Sequence, residues 1–425
     1  MPNTCTGRFA TSAKAALEGR KKPQVAAISN APKDEGEAAS QGKHATPPKP
    51  VIYMRHILRK CLPFWKTFCK STLVLSWIQF GFDLRWLPGK GPPQSAFFRN
   101  HRSAFENTAF VTETIADLLL AGSLELCIDR PWLVSPLGVV FKKSSGKPRL
   151  IFDARHLNSH IVIPPFKYED LGFCHQFVQP ADYLVTTDLS KGYHHMDLHP
   201  DYWCYFGIEW EGQYYTYTSL PFGLASACWA FTKLTQELLH KWRRLGHRCG
   251  GYLDDALHCH QNRDALQHLV NSLLVPDFIL CGFILNMEKC HLNPMQRAEY
   301  LGMFIDTIRG CFEVPESKRQ IIVNLIQRVL QDRYQCSVHL LEILAGNLAS
   351  MHWAFGPLSR LMTMSIYTDI NSSSHRNCSI SLSETTVKDL NFWLCGFDRY
   401  NGFKPIWEPR GFNITIFTDA AGINL

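Results

Sequence analysis

No Cys-x2-Cys pair occurs anywhere in the 425-residue sequence, although it holds fifteen cysteines. A zinc ribbon needs such paired thiolates, and an odd count without pairing spacings supports no disulfide framework. Free thiols in a reducing cytosolic or nuclear compartment are therefore expected. His258-Cys259-His260 is the nearest approach to a ligand cluster, but alternate strand residues face opposite sides and no second half-site follows. Also absent are a secretory apolar core and any uninterrupted apolar run of spanning length, so no membrane association is expected. Charge of one sign is scarce as well: a formal net charge of +7 is compatible with a polyanionic partner without arguing for one. Residues 1–50 are nearly devoid of aromatics and rich in Ala, Lys, Ser, Gly and Pro. Such a segment cannot bury enough apolar surface to offset its ordering entropy, which predicts a disordered tail. Arg20-Lys21-Lys22 within it reads as solvated tail, with a nuclear-import signal as the alternative.

What remains is rich in core-forming residues. The chain is 46% hydrophobic and 12% aromatic, and long enough for two or three domains with substantial cores. From Val51 the composition changes sharply: Phe64, Trp65, Phe68, Leu73, Leu75, Trp77 and Ile78 should pack against a folded body. Leu87–Pro93 is a loop by its breakers, and residues 103–122 read as a helix stopped by Gly122. Strand-like runs follow at Val139–Phe141 and Leu150–Phe152, around a Ser144-Ser145-Gly146 turn. Gln213–Leu220 alternates as a half-buried strand does. Leu224, Ala227, Cys228, Phe231, Leu234, Leu238 and Trp242 then recur at three- and four-residue steps, giving an amphipathic helix that ends near Gly246. Later, Ile321, Leu325, Ile326 and Val329 suggest one helix, and Leu340, Leu344, Asn347 and Leu348 another. Residues 370–383 are Ser/Asn-rich and predict an exposed loop or linker.

Chemistry enters at Gly250-Gly251-Tyr252-Leu253-Asp254-Asp255-Ala256-Leu257. Two adjacent carboxylates lie between short apolar runs, where a hairpin should form with the acids at its turn, since Asp accepts unusual dihedrals. Such turns are often merely solvated. Here a third acid, Asp188, ends the β-rich run Tyr183–Thr187. Carboxylates held together repel unless a cation lies between them, and three from neighbouring strands suit a pair of Mg²⁺ or Mn²⁺ ions about 4 Å apart.

Tyr252-Leu253-Asp254-Asp255 resembles the YxDD box of reverse transcriptases, and Thr187-Asp188-Leu189-Ser190-Lys191-Gly192-Tyr193 resembles their first catalytic motif. Leu220-Pro221-Phe222-Gly223-Leu224-Ala225-Ser226-Ala227 is similar to their LPFGL segment, and Gly146–Asn158 to the fingers segment upstream. Tyr300-Leu301-Gly302, after Lys289-Cys290, looks like the later palm motifs. These five motifs stand in family order over about residues 130–310. Finer wording points to one branch: Lys167-Tyr168-Glu169-Asp170-Leu171, Gly192-Tyr193-His194-His195, Phe231-Thr232-Lys233 and the upstream Leu62–Phe68 segment read like the polymerase of tyrosine-recombinase (DIRS-type) retrotransposons. Gypsy-type elements resemble it next most closely.

The resemblance implies an α+β, right-hand polymerase of fingers, palm and thumb, with an antiparallel palm sheet and flanking helices, followed by the truncated start of an RNase H-like domain. Its expected parts are the tail to residue 50, an N-terminal helical extension over 51–130, fingers and palm over 131–310, thumb and connection helices over 311–370, a linker or connection over 371–412, and the RNase H start over 413–425. Asp419 falls at the first RNase H catalytic position; the partner acids would lie beyond residue 425, so that activity is expected to be absent. The implied reaction is RNA-directed DNA synthesis, in which a primer 3′-hydroxyl attacks a dNTP on an RNA or DNA template. Asp188 and Asp254 are the implied principal metal ligands, Asp255 a weaker one, and the Leu189 carbonyl a further one, around two Mg²⁺ or Mn²⁺ ions. Lys142 and Arg149 would grip the triphosphate, and Lys289 would steady it or protonate pyrophosphate. Tyr193 would exclude a ribose 2′-hydroxyl, and Phe222 would pack against the nascent pair. His194, His195 and His199 receive no catalytic role, and Asp153 with Arg155 reads as an internal ion pair. Two rival readings stay open: a catalytically idle nucleic-acid-binding remnant, and an RNA-dependent RNA polymerase, which Tyr193 disfavours. The wording is silent on oligomeric state, priming mode and processivity.

Overall fold

Strict alternation of apolar and polar residues fails where a strand is covered on both faces, and Leu184–Asp188 is such a run: all five residues are buried. Val185 packs into one hydrophobic core and Leu184 into a second, on opposite faces of the same sheet. The computed structural model describes residues 52–141, 146–331, 335–373, 375 and 378–407. The expected tail, Lys142 and Asp419 lie outside them. Among the described residues no helix is long and apolar enough to cross a membrane.

The central sheet has four antiparallel strands in the order His291–Met295, Tyr183–Asp188, Asp255–His260, Arg248–Tyr252. The first core covers one face. It holds the helix Ala227–Arg244, which buries Phe231, Leu234, Leu238 and Trp242 as its spacing requires. Leu224 lies before this helix rather than in it, and Gly246, in the left-handed region at φ 82°, follows its end. The segment expected to be an N-terminal extension belongs to the same core. Its helices Leu62–Phe68 and Thr72–Phe80 bury Trp65, Trp77 and Ile78. The Trp65 indole N–H donates to the Cys281 carbonyl at 2.9 Å, and its ring lies 5.9 Å from Phe283.

Residue 130 is no structural boundary either. A five-stranded sheet takes Ala96–Phe97 and Leu124–Cys127 from the segment before it, and Leu133–Val134, Gly207–Trp210 and Gln213–Tyr217 from after it. The helix expected over 103–122 is two, Arg102–Phe105 and Thr108–Leu120, because Asn107 leaves helical geometry at φ −128°. Leu137–Phe141 and Pro148–Phe152 form the expected hairpin, with Val140 opposite Arg149.

The second core covers the other face. The helix Glu316–Gln331 buries Ile322, Ile326 and Val329, with Leu325 partly buried beside them; Ile326 and Val329 are as expected, but Ile321 is 41% exposed and Ile322 takes its place in the core. Val338–Ala349 follows, its N-terminus capped by Ser337 Oγ, which accepts from the Leu340 N–H. Within the expected linker or connection over 371–412, the described residues hold a short strand and a long helix. Ser379–Ser381 pairs with Gln335–Ser337, and Ser383 caps a helix over Glu384–Tyr400. That helix buries Leu390, Trp393 and Phe397, with the Trp393 and Phe397 rings each 5.0 Å from Phe355. The Ser/Asn-rich wording before it describes only the connection, and it masked the helical spacing behind.

Two Arg–carboxylate pairs anchor the edge strand Arg248–Tyr252. Arg248 donates to both oxygens of fully buried Asp182 at 2.5 and 2.6 Å. Near the other end, Arg243 donates to both Glu169 oxygens at 2.8 and 2.5 Å and also to the Cys249 carbonyl. Glu169 Oε2 in turn accepts from the Gly251 N–H at 3.0 Å. Removing one partner of such a pair leaves a partly buried charge and an orphaned backbone donor. Glu169→Ala should therefore lower folding stability by about 2–3 kcal/mol, measured by urea denaturation; a loss within error of zero would show the pair to be a solvated surface contact.

Four histidines lie in the cores as neutral bases. Burial pushes His194 down to about 3, His195 to about 4 and His247 to about 4, and holds His258 well below its usual value. In the unfolded chain each takes up a proton near pH 6.5, so their stabilising contribution is whole above that pH and shrinks as pH falls toward 4. Asp255, raised to about 7, works in the opposite direction as a single group. The unfolding free energy should thus be lower at pH 5 than at pH 7.5, by on the order of 1–2 kcal/mol for each histidine, and the urea midpoint should fall with it. A midpoint that rises on acidification would contradict the burial of neutral imidazoles.

Candidate active site

The three acids come together at one end of the central sheet. Asp188 ends its strand directly opposite Asp255 in register, which sets the two Cα atoms about 4.5–5.5 Å apart. Asp254 precedes Asp255, and its carbonyl accepts from the Leu189 N–H at 2.9 Å. Asp255 belongs to the strand Asp255–His260, so the turn proper is Leu253-Asp254. This corrects the expectation that the acids absorb the unusual dihedrals: Leu253 does so, at φ 56°. A two-residue hairpin with the first central residue left-handed is ordinarily glycine territory, and a branched side chain there costs about 1–2 kcal/mol. The strain stands directly beside the carboxylates.

The neighbouring backbone holds this corner in place. The Asn286 N–H donates to the Asp188 carbonyl at 2.8 Å, and the Ser190 N–H to the Ile284 carbonyl at 2.7 Å. Gly250 and Gly251 let the hairpin strand approach closely: a Cβ would stand 2.7 Å from the Phe177 ring at the first and 2.7 Å from Leu239 at the second. His195 joins the same corner. Its Nδ1–H donates to the Gly192 carbonyl at 2.8 Å and its Nε2 accepts from the Ile284 N–H at 3.0 Å, an arrangement that only the neutral ring satisfies.

Electrostatically the corner is under load. Asp188 is buried; Oδ2 accepts from the Lys289 ammonium at 2.9 Å, and Oδ1 has no donor. Burial, then the charges of Asp254 and Asp188, push Asp255 up to about 7. Asp254 is raised mainly by burial, with Lys289 and Arg149 pulling the other way. Asp188 raises the ammonium pKa of Lys289 in return. Among the described residues no three His, Cys, Asp or Glu side chains converge as a finished cation cage. The acids are instead gathered around Lys289, and a protonated Asp255 is the group opposite Asp188 able to donate toward it. A proton, an ammonium or a hard cation would each relieve the repulsion.

The remaining expected residues surround this corner. Tyr193 sits in the short 3₁₀ turn Gly192–His195, its ring 5.0 Å from Phe222 and edge-on to Phe231 at 5.5 Å. The exposed Arg149 guanidinium lies 5.4 Å from the Phe222 ring centre, and its charge reaches Asp254. The Leu189 N–H is bound to the hairpin, and Lys289 is bonded to Asp188. Asp153 pairs with Arg155 at 2.6 Å, which holds its carboxyl well below the usual range, and also contacts His101. His194 and His195 are buried and His258 stacks on His247.

Several residues here received no role from the sequence. Asn158 ties the loop around Phe222 to the short helix Arg155–Asn158 that follows the hairpin: its Nδ2 donates to the Gly223 carbonyl and its Oδ1 accepts from the Ala225 N–H, both at 2.9 Å. Gly223 permits that approach, since a Cβ would stand 2.0 Å from the Phe152 carbonyl oxygen. Glu169, Tyr168 and Cys228 are the others. Asn158, Tyr168 and Glu169 all stand inside family-like wording, which was the available signal; Arg243, the partner of Glu169, had none.

Residues 140–305 match the family model described as reverse transcriptase (RNA-dependent DNA polymerase). The retrovirus-related Pol polyprotein from transposon opus of Drosophila melanogaster is 26% identical over 270 residues, 60% of this chain and 25% of that protein. The Pol polyprotein from transposon gypsy of the same organism is 28% identical over 220 residues, 50% of this chain and 20% of that protein. The Pro-Pol polyprotein of Simian foamy virus type 3 (strain LK3) is 25% identical over 198 residues, 46% and 16% of the two chains. This chain therefore spans a quarter or less of these relatives' lengths. Among solved structures, a foamy viral protease-reverse transcriptase in complex with dsDNA matches at a TM-score of 0.60 and 18% identity, over 81% of this chain and 67% of that one. The same kind of protein in complex with an RNA/DNA hybrid matches at 0.61 and 14%, over 84% and 48%. At such identity these matches show the polymerase fold of a reverse transcriptase. Fold, motif order and family model agree on a reverse transcriptase domain over residues 140–305, with homology to part of the gypsy and opus transposon Pol polyproteins and of retroviral Pol.

Proposed function

We propose that this chain is the RNA-directed DNA polymerase of a DIRS-type retrotransposon, adding dNTPs to a primer 3′-hydroxyl on an RNA or DNA template. The observation that carries the reading is Asp188 facing Asp255 in register beside Asp254, with a buried carboxylate oxygen that no donor satisfies. The branch rests on the wording of Lys167–Leu171, Gly192–His195 and Phe231–Lys233; likeness to gypsy and opus Pol supports the broader class. A primed RNA or DNA duplex is the partner, a reading supported by the dsDNA and RNA/DNA hybrid named for the foamy viral structures.

Asp188, Asp254 and Asp255, with the Leu189 carbonyl, supply hard oxygens suited to two Mg²⁺ or Mn²⁺ ions. Bound there, such ions would lower the pKa of the attacking hydroxyl and offset charge on the leaving oxygens. The chain's own residues do the rest. Arg149 offers a planar donor fork to the triphosphate, Lys142 a second positive charge, and Lys289 serves the pyrophosphate end. Tyr193, braced on Phe222 and Phe231, excludes the 2′-hydroxyl, and Phe222 packs under the nascent pair. The helices after residue 311 act as thumb and connection, and 413–425, with Asp419, as the start of an RNase H-like domain. A reducing cytosolic or nuclear compartment suits the fourteen described cysteines, all of them free.

On poly(rA)/oligo(dT), the protein should incorporate dTTP only with Mg²⁺ or Mn²⁺, and Asp188→Asn or Asp254→Asn should reduce incorporation below detection. Absence of incorporation with either cation would return the chain to the idle-remnant reading. Arg149→Ala should raise the apparent dTTP KM by about tenfold while template-primer affinity changes far less; equal effects on both would remove Arg149 from the triphosphate.

A further inference from the structure

We infer that Cys228 is a positioning residue for the nucleotide site: its thiol holds the Tyr193 ring at the height that excludes a ribose 2′-hydroxyl. The inference rests on the polymerase reading above and assigns a sugar-selectivity role to a residue outside the acidic corner. Cys228 is the second residue of the helix Ala227–Arg244 and is only half-buried. Its Sγ lies 3.0 Å from the Tyr193 hydroxyl oxygen. The Tyr168 hydroxyl faces the same sulfur closely enough to interact with it. The Tyr168 ring lies 4.6 Å from that of Tyr252, at 33°, on the strand leading into the Leu253-Asp254 turn.

The physical argument separates lateral from axial support. Phe222 at 5.0 Å and Phe231, edge-on at 5.5 Å, confine the Tyr193 ring from the side. Ring contacts of this kind are broad in energy and tolerate sliding along the ring plane. The hydroxyl-to-sulfur bond fixes the remaining coordinate, how far the ring projects toward the proposed nucleotide site. A steric gate discriminates by overlap between one ring edge and one oxygen, so a small displacement along this coordinate changes selectivity. Sulfur suits the position because it is polarizable and can meet two hydroxyls with loose directional demands. The same thiol links the gate, through Tyr168 and Tyr252, to the hairpin that carries Asp254. Packing alone could instead hold Tyr193, and the two accounts part on one measurement.

That measurement is the ratio of kcat/KM for dTTP to that for UTP on poly(rA)/oligo(dT), in the wild type and in Cys228→Ala, Cys228→Ser, Tyr193→Ala and the Tyr193→Ala/Cys228→Ala double variant. Cys228→Ala should lower the ratio by about five- to tenfold, the worth of one net hydrogen bond, and Cys228→Ser should restore most of it. In the Tyr193→Ala background the cysteine change should add nothing, because the gate through which it acts is gone. A discriminating wild type whose ratio is unmoved by Cys228→Ala overturns the inference and leaves the polymerase reading standing. Equal effects with and without the Tyr193 side chain overturn it as well. A wild type that incorporates no dTTP brings down both. Thermal melting of each variant guards against misfolding, and Cys228→Ser supplies the readout should the alanine variant fail to fold.

Discussion

One register decides whether this protein has a site at all: the antiparallel pairing that sets Asp188 opposite Asp255. A slip of one residue would send every side chain of the strand to the other face and carry the two carboxylates apart. Burial on both faces makes such a slip costly. Val185 is committed to one core and Leu184, Leu257 and Cys259 to the other, so no neighbouring register keeps both cores filled. Ordinary half-buried sheets rely on one hydrophobic face; this one is locked by two.

The register is held against an unfavourable local energy. Packing carboxylates into a buried corner raises Asp254 and Asp255, leaves one Asp188 oxygen without a donor and places Leu253 in a left-handed turn. Each of these would disperse in a freely relaxing loop. They persist because the edge strand is pinned at both ends by Arg–carboxylate pairs, Arg248 with Asp182 and Arg243 with Glu169, and the Asp188 end by backbone bonds from Asn286 and to Asp254. Strain concentrated where chemistry is proposed, with compensation in the surrounding frame, is the usual arrangement of a preorganised site. The histidines contribute to that frame as neutral hydrogen-bonding bases, as His195 does between Gly192 and Ile284.

Much of this was legible in the residues. The hairpin over Leu137–Phe152, the amphipathic helix ending near Gly246 and the two acid-bearing strands follow from periodicity and breakers, because their apolar spacing coincides with the faces they bury. Legibility failed where one face is shared or a signal is masked. The helix Glu384–Tyr400 is hidden by the polar wording before it, and in Glu316–Gln331 two adjacent isoleucines, Ile321 and Ile322, compete for one inward position that only Ile322 takes. The division at residue 130 failed for a different reason. Strands distant in sequence complete one sheet, and no local pattern announces a partner far along the chain.

The residues themselves determined the chemical inventory: three acids in family order, a tyrosine five positions after the first, an arginine on a hairpin and no paired thiols for a structural metal. Only the tertiary structure decided which groups meet. It placed Lys289 on Asp188, gave the strained turn to Leu253 instead of the acids, bound Glu169 to Arg243 and set Cys228 against Tyr193. Sequence spacing reports which face a residue takes within its own element. Contacts between elements depend on how two buried cores are filled at once, a constraint that exists only when the whole chain is folded.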